Sequence, residues 1–381
     1  MLKISSKLPD VGVTIFAIMT ALANEHKAIN LSQGFPDFDV EPDLIKSVNA
    51  HMLKGANQYA PMQGVPVLRD KIARKVRQCY GAEYDPATEI TITSGATEAL
   101  FAAMAAVVKR DDEVLIFEPA YDAYAPVVTL NGGIPRYIQL KPPNYRIDWD
   151  EVKDIISSKT RLIILNSPHN PTGSTLTRQD LEALKQIVAP TGIMILSDEV
   201  YEHIIFDGCR HESMATDPEL ASRSFVVSSF GKTYHTTGWK IGYCLAPAQL
   251  SKELQRVHQY LTFSSNTPVQ CAYADILDSE NHYLELAGFY QRKRDFFLRL
   301  MEGSRFSPVP CQGTYFQMMS YASISTELDT EFSRRITMEH GVASIPVSVF
   351  YHGRQDHQVV RFCFAKKDET LEKAAEKLCR I

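Results

Sequence analysis

The sequence predicts an α/β fold, with a mainly parallel sheet in a large first unit and a smaller α+β unit after it. Three observations carry this. Five apolar, strand-like runs each lead directly into polar side chains, helix-like patterns such as LEALKQIVA (181–189) separate most of them, and the alternation stops near residue 280. A βαβα order gives a mainly parallel sheet. Right-handed crossovers then place successive strand ends on one edge.

The first run, EITITSGATEAL (89–100), sets Ser94, Gly95, Ala96 and Thr97 after ITIT and then opens a helix. EVLIFEPAYD (113–122) delivers Tyr121 and Asp122, RLIILNSPHNPTG (161–173) delivers Asn170, and GIMILSDEVYE (192–202) delivers Asp198 and Tyr201. SFVVSSFGKT (224–233) delivers Ser229 and Lys232. Ligands of open α/β sheets sit outside the carboxyl ends of the strands, so these side chains are expected to converge. Farther on, NHYLELAGFYQRKRDFFLRLMEG (281–303) reads as one long helix and GTYFQMMSY (313–321) as a strand. EFSRRITMEHGVASIPVSVFY (331–351) reads as helix and short strand, and QVVRFCFA (358–365) as a strand. Residues 1–42 show no alternation and read as a helix and arm packing with the small domain, which leaves a large domain at 43–280 and a small one at 281–381.

Composition bounds the partners. A chain of 381 residues exceeds what one compact core usually supports, so more than one domain is expected. With 45% apolar and 22% charged residues it has the make-up of an ordinary soluble enzyme. A net charge of −5 without a Lys/Arg run argues against nucleic acid and for a small-molecule substrate. Seven cysteines without metal-type spacing read as reduced thiols, and the cytoplasm is the expected compartment. Asp10 and its polar neighbours interrupt the apolar N-terminal patch before a signal core forms, and no run approaches a membrane span.

The converging residues suit one kind of chemistry. A lysine forms a Schiff base with a carbonyl cofactor, and pyridoxal phosphate (PLP) also needs a phosphate cradle and a partner for its pyridine nitrogen. Ser94 to Thr97 lie at a strand-to-helix turn, where free N–H groups and the helix dipole favour phosphate. Ser229 and Lys240 add a hydroxyl and a charge. Asp198 suits the pyridine nitrogen, Tyr121 the ring face, and Asn170 and Tyr201 the phenolic oxygen. Arg361, in VVRFCFA, can fork onto a substrate carboxylate.

With NSPHNPTG, SDEVYE and SSFGKTYHTTGWKIGY in this order, the chain resembles the class I/II aminotransferases, PLP enzymes of the aspartate aminotransferase fold. The resemblance spans nearly the whole length. It implies fold type I, with a seven-stranded, mainly parallel sheet, and a homodimer with shared active sites. It makes Lys232 the Schiff-base lysine and catalytic residue, and Asp198 the pyridine partner. Asn170 and Tyr201 become the phenolate donors, Arg361 the carboxylate clamp, and Tyr121 the stacking aromatic. Gly95, Ala96, Thr97, Ser229 and Lys240 fall around the phosphate. LSQGFPDF (31–38), NQYAPMQG (57–64), IPVSVFY and RFCFA resemble the methionine, kynurenine and glutamine aminotransferase subgroup, with its bacterial methionine branch nearest. By that likeness Gly34 meets the substrate carboxylate through its backbone and Phe16 lies near the substrate side chain. Tyr59 reaches the phosphate of the neighbouring subunit, and Asn266 and Thr267 approach the partner's site. The implied reaction moves an amino group from an uncharged amino acid to a 2-oxo acid. The same cofactor and fold also serve cysteine-S-conjugate β-lyases, which remain the alternative.

Taken singly, these residues have blander readings. Ser229-x-x-Lys232 imitates a β-lactamase motif, but SDN and KTG are missing, and Val226 stands where a P-loop needs glycine. Phe263, Phe350 and Tyr351 read as core aromatics. The eleven histidines show no metal spacing, so no metal is expected, and His169 and His235 read as supporting the site.

Overall fold

The computed structural model describes residues 5–381. The five strands expected from the sequence are present, with two more. In chain order they are β1 (Ile90–Thr93), β2 (Glu113–Glu118), β3 (Ile134–Gln139), β4 (Thr160–Asn166), β5 (Met194–Asp198), β6 (Ser224–Ser229) and β7 (Gly242–Leu245). They form one seven-stranded sheet in the order β1-β7-β6-β5-β4-β2-β3. Only β7 runs antiparallel to its neighbours, so the sheet is mainly parallel.

Alternate residues of each strand enter different cores. Leu115, Phe117, Ile163, Leu165 and Ile195 belong to one apolar cluster, and Val114, Ile116, Leu162, Ile164 and Leu196 to another. Both faces of the sheet are therefore buried, as parallel sheets with helical crossovers require. Polar residues gather at the carboxyl ends of β1, β4, β5 and β6, at Thr93, Asn166, Asp198 and Ser229.

A second layer follows. Phe316–Ser320 and Val359–Cys363 pair antiparallel, flanked by Ser307–Pro308 and Ile345–Pro346. The helices Leu286–Leu300, Asp329–His340 and Asp368–Leu378 pack with this sheet in a third core. Near the N-terminus, the helix Ile15–Glu25 contacts the helix Asp329–His340, and Ile29–Asn30 pairs in parallel with Val342–Ala343.

The long helix expected over 281–303 is two helices, Asn281–Leu284 and Leu286–Leu300. Packing explains the break at Glu285. Tyr283 is buried in a core of the large sheet, whereas Leu286 and Tyr290 are buried in the core of the small one.

Candidate active site

The strand ends meet at one cavity of about 480 Å³. Phe16, Gly34, Gly95, Ala96, Thr97, Tyr121, Asn170, Asp198, Tyr201, Ser229, Lys232, Lys240 and Arg361 all line it. Of the residues singled out for the site, Tyr59, Ser94, Asn266 and Thr267 lie elsewhere. Tyr59 is the one assigned to the partner's phosphate. It is 83% exposed and packs edge-on to Phe263 at 5.4 Å.

Gly95 caps the 12-residue helix Ala96–Val107 with φ +77° and ψ 169°, a conformation essentially restricted to glycine. A Cβ there would stand 3.2 Å from Cε of Lys240 and 3.3 Å from its Nζ. The glycine thus keeps a cradle open between a helix N-terminus and a cation. Lys240 Nζ lies 3.4 Å from Thr97 Oγ1 at the exposed rim.

Asp198, the last residue of β5, is 4% exposed. Tyr124 donates a 2.6 Å hydrogen bond to its Oδ2. Burial pushes this carboxyl up to about 6, against the pull of Tyr124, the Val200 N–H and Lys232. A buried carboxylate short of positive charge is suited to a cationic ring nitrogen.

Lys232 follows β6. Its enclosed amine is pulled down to about 8, chiefly by burial, and Arg361 and Lys240 push the same way. The amine is thereby brought near neutrality, as a nucleophile or base requires. Nζ lies 2.9 Å from the hydroxyl of Tyr315 and 5.5 Å from the ring centre of Tyr201.

Arg361 is 1% exposed, with its guanidinium 3.8 Å from the centre of the Phe316 ring. Nη1 donates to Asn170 Oδ1 at 2.7 Å and Nη2 to the Ser32 carbonyl at 3.0 Å, while Nε is buried without a partner. The Arg361 bond fixes which way the Asn170 amide faces and leaves its N–H groups free. In turn, Asn166 Oδ1 accepts from the Asn170 backbone N–H at 2.9 Å, and Asn166 Nδ2 donates to the Asp198 carbonyl at 2.8 Å.

Tyr124, Asn166 and Tyr315 are the residues that sequence reasoning missed. Tyr124 stands in AYDAY, three positions past Tyr121, and Asn166 in LNSPHNP, so both lay inside motifs already singled out. Phe350 and Tyr351 are buried, as core aromatics should be. Phe263 corrects the expectation: it is 46% exposed at φ +68°, just past the helix Ala248–Leu261. His169 is buried and bonds Thr172 Oγ1 at 2.7 Å, while His235 packs edge-on to Phe38 at 4.7 Å. Neither lines the cavity.

The aminotransferase class I and II family model matches residues 26–378. The chain belongs to this family. It is 52% identical to the methionine aminotransferase of Escherichia coli (strain K12), over 99% of this chain and 98% of the relative. It is 37% identical to a probable N-succinyldiaminopimelate aminotransferase of Mycobacterium tuberculosis, over 98% and 97%. The crystal structure of YbdL from Escherichia coli, reported with a methionine aminotransferase function, superposes with a TM-score of 0.98 at 51% identity, covering 100% of both chains. The chain is thus a PLP-dependent aminotransferase of fold type I. The cavity fits the cofactor: it offers a lysine near neutrality, a buried carboxyl lacking a cation, and a glycine cradle at a helix N-terminus.

Proposed function

We propose that the donor is an uncharged amino acid, methionine foremost and the aromatic, glutamine or kynurenine type beside it, with a 2-oxo acid as acceptor. The carrying observation is the charge inventory of the cavity. Among the described residues, its lining cations are Lys232, Lys240 and Arg361. Assigning Lys232 and Lys240 to the cofactor and Arg361 to the α-carboxylate leaves no cation for a second carboxylate. Phe16, Phe35, Tyr121 and Phe316 supply apolar walls instead. The likeness to the Escherichia coli methionine aminotransferase supports the same reading.

Bound PLP supplies the electron sink for breaking the Cα–H bond and carries the amino group from donor to acceptor. The helix N-terminus at Gly95, Ala96 and Thr97, with Ser229 and Lys240, would hold its phosphate. Asp198 would keep the pyridine nitrogen protonated, Tyr121 would cover the ring, and Asn170 and Tyr201 would donate to the phenolic oxygen. Arg361 and the Gly34 backbone would bind the substrate carboxylate and set Cα beside Lys232. The Lys232 amine would take the proton from Cα at Nζ and hold it there for return, so position and basicity act through one group.

The same reading covers the assembly. Tyr59 and Phe263 are exposed and pack edge-on at 5.4 Å, Tyr260 and Leu261 are exposed a few residues earlier, and Thr267 Oγ1 donates to the Gln58 carbonyl at 2.6 Å, next to Tyr59 in the chain. A second copy seated there would take Tyr59 into its own site, which makes the protein a homodimer. For the division at 42/43 and 280/281, the packing of Met19 with Ile345 and Phe350 supports an N-terminal arm lying on the small domain, although Tyr283 packs in a core of the large sheet. A cytoplasmic setting is supported by seven cysteines that form no disulfide.

The test is the half-reaction. Purified protein is mixed with single amino acids without acceptor, and the visible band of its cofactor is followed. Bleaching by methionine and aromatic donors but not by aspartate is expected. Preferential bleaching by aspartate would overturn the donor assignment.

A further inference from the structure

Tyr315 stands at the meeting point of three distant segments. Its hydroxyl lies 2.9 Å from Lys232 Nζ and 2.6 Å from the carbonyl oxygen of Gly34. The residue is fully buried, with the rings of Tyr201, Tyr290 and Phe316 at 5.2, 5.7 and 4.9 Å. Burial, with Tyr201 beside it, holds the phenol well above the ordinary tyrosine range, so it keeps its proton.

A phenol has one proton to give, and a carbonyl can only accept. The Tyr315 proton therefore lies on Gly34, and toward Lys232 the phenol oxygen acts as an acceptor. A neutral amine held this way commits one N–H and retains its lone pair. We propose that Tyr315 is a positioning residue for Lys232: it holds the freed amine by an N–H and leaves the lone pair available to take the proton from Cα. Because the same hydroxyl bonds Gly34, the amine and the loop segment proposed to meet the substrate carboxylate are set by one atom. This rests on the reading of Lys232 as the cofactor lysine.

The other groups facing Lys232 act on its charge. Asp198 favours the protonated amine, Arg361 and Lys240 oppose it, the Cys363 thiol is kept neutral by burial, and the Tyr201 ring lies against it. None of these bonds Nζ, whereas Tyr315 does.

The variant is Tyr315→Phe, with Tyr290→Phe as control because the Tyr290 hydroxyl has no partner. Two quantities are read. One is kcat and KM with methionine and with its Cα-deuterated form. The other, on cofactor-free protein, is the pH dependence of the rate at which the visible band grows on adding PLP. For Tyr315→Phe we expect kcat to fall about 10- to 100-fold with a larger deuterium effect, since a misplaced base slows proton transfer most. The midpoint of PLP uptake should move to lower pH, because the ammonium form loses an acceptor. Tyr290→Phe should match the wild type in both. A raised KM with unchanged kcat, isotope effect and uptake midpoint would overturn the proposal and leave Tyr315 as support for Gly34 alone. If Tyr315→Phe does not fold, 3-fluorotyrosine at 315 keeps the shape and weakens the acceptor; an unmoved uptake midpoint there would overturn it equally. Failure of the Lys232 reading itself would show differently, as turnover retained by Lys232→Ala.

Discussion

The hydroxyl of Tyr124 donates a 2.6 Å hydrogen bond to Oδ2 of Asp198, and both groups are buried. Tyr124 opens the helix Tyr124–Leu130, just beyond the loop that follows β2, whereas Asp198 closes β5. Oδ2 is thus committed to Tyr124, whereas Oδ1 accepts only a long 3.4 Å bond from the Val200 N–H and keeps capacity for the cofactor.

Removing that hydroxyl should therefore act on the cofactor more than on the fold. Tyr124→Phe keeps the ring's packing and deletes a donor to a charged group, an interaction worth about 1.5–3 kcal/mol. We expect PLP to bind about tenfold more weakly or worse. Equilibrium titration of the cofactor-free protein, followed by the visible band, checks this. Unchanged affinity would mean that Asp198 holds its orientation without Tyr124.

A second expectation concerns the shape of a charge. Arg361 holds Asn170 through Nη1 and the Ser32 carbonyl through Nη2, and its plane lies on Phe316. Lysine preserves the positive charge but not the fork, the stacking or the Asn170 bond. For Arg361→Lys, KM for methionine should rise about 100-fold, while PLP affinity changes far less. Steady-state kinetics beside a cofactor titration separates the two.

The third follows from Asp198 and pH. Burial sets the folded carboxyl at about 6, above its ordinary 3.8. The folded cofactor-free protein therefore binds this proton more tightly than the unfolded chain, and stability is lost as pH rises from about 4 to 6. Asp198→Asn removes the titration. Cofactor-free Asp198→Asn should thus gain on the wild type across that window, by up to about 3 kcal/mol. Chemical denaturation of both proteins at several pH values measures the difference. A difference that stays flat would show that the carboxyl is not held in its protonated form.

Legibility in the sequence followed locality. Asp198, Asn170 and Lys232 each follow an apolar strand within a dense motif, so a period and a few neighbours sufficed. Their supports come from far away. Tyr124 is 74 positions from Asp198 and Tyr315 is 83 from Lys232, and with 17 tyrosines in the chain no spacing marks which ones find a partner. The two strands of the expected seven that no apolar run had located also have local causes. β3, IPRYIQ, lies at the sheet edge with little burial, and β7 has four residues and runs against its neighbours. Neither carries the long apolar signal of a buried parallel strand.

The last expectation isolates the phosphate cradle. At Gly95, φ +77° with ψ 169° strains any side chain, at a cost of about 1–3 kcal/mol. The added Cβ of Gly95→Ala would also press Lys240 at Cε and Nζ, 3.2 and 3.3 Å away. Both effects fall at the helix N-terminus proposed for the phosphate, and neither touches Asp198 or Lys232. Affinity for PLP should therefore drop, whereas affinity for pyridoxal, which has the same ring and aldehyde without the phosphate, should hold. Parallel titrations of wild type and Gly95→Ala with the two compounds give the ratio directly. If both affinities fall alike, the substitution has disturbed the whole site and the phosphate assignment at Gly95 loses its support.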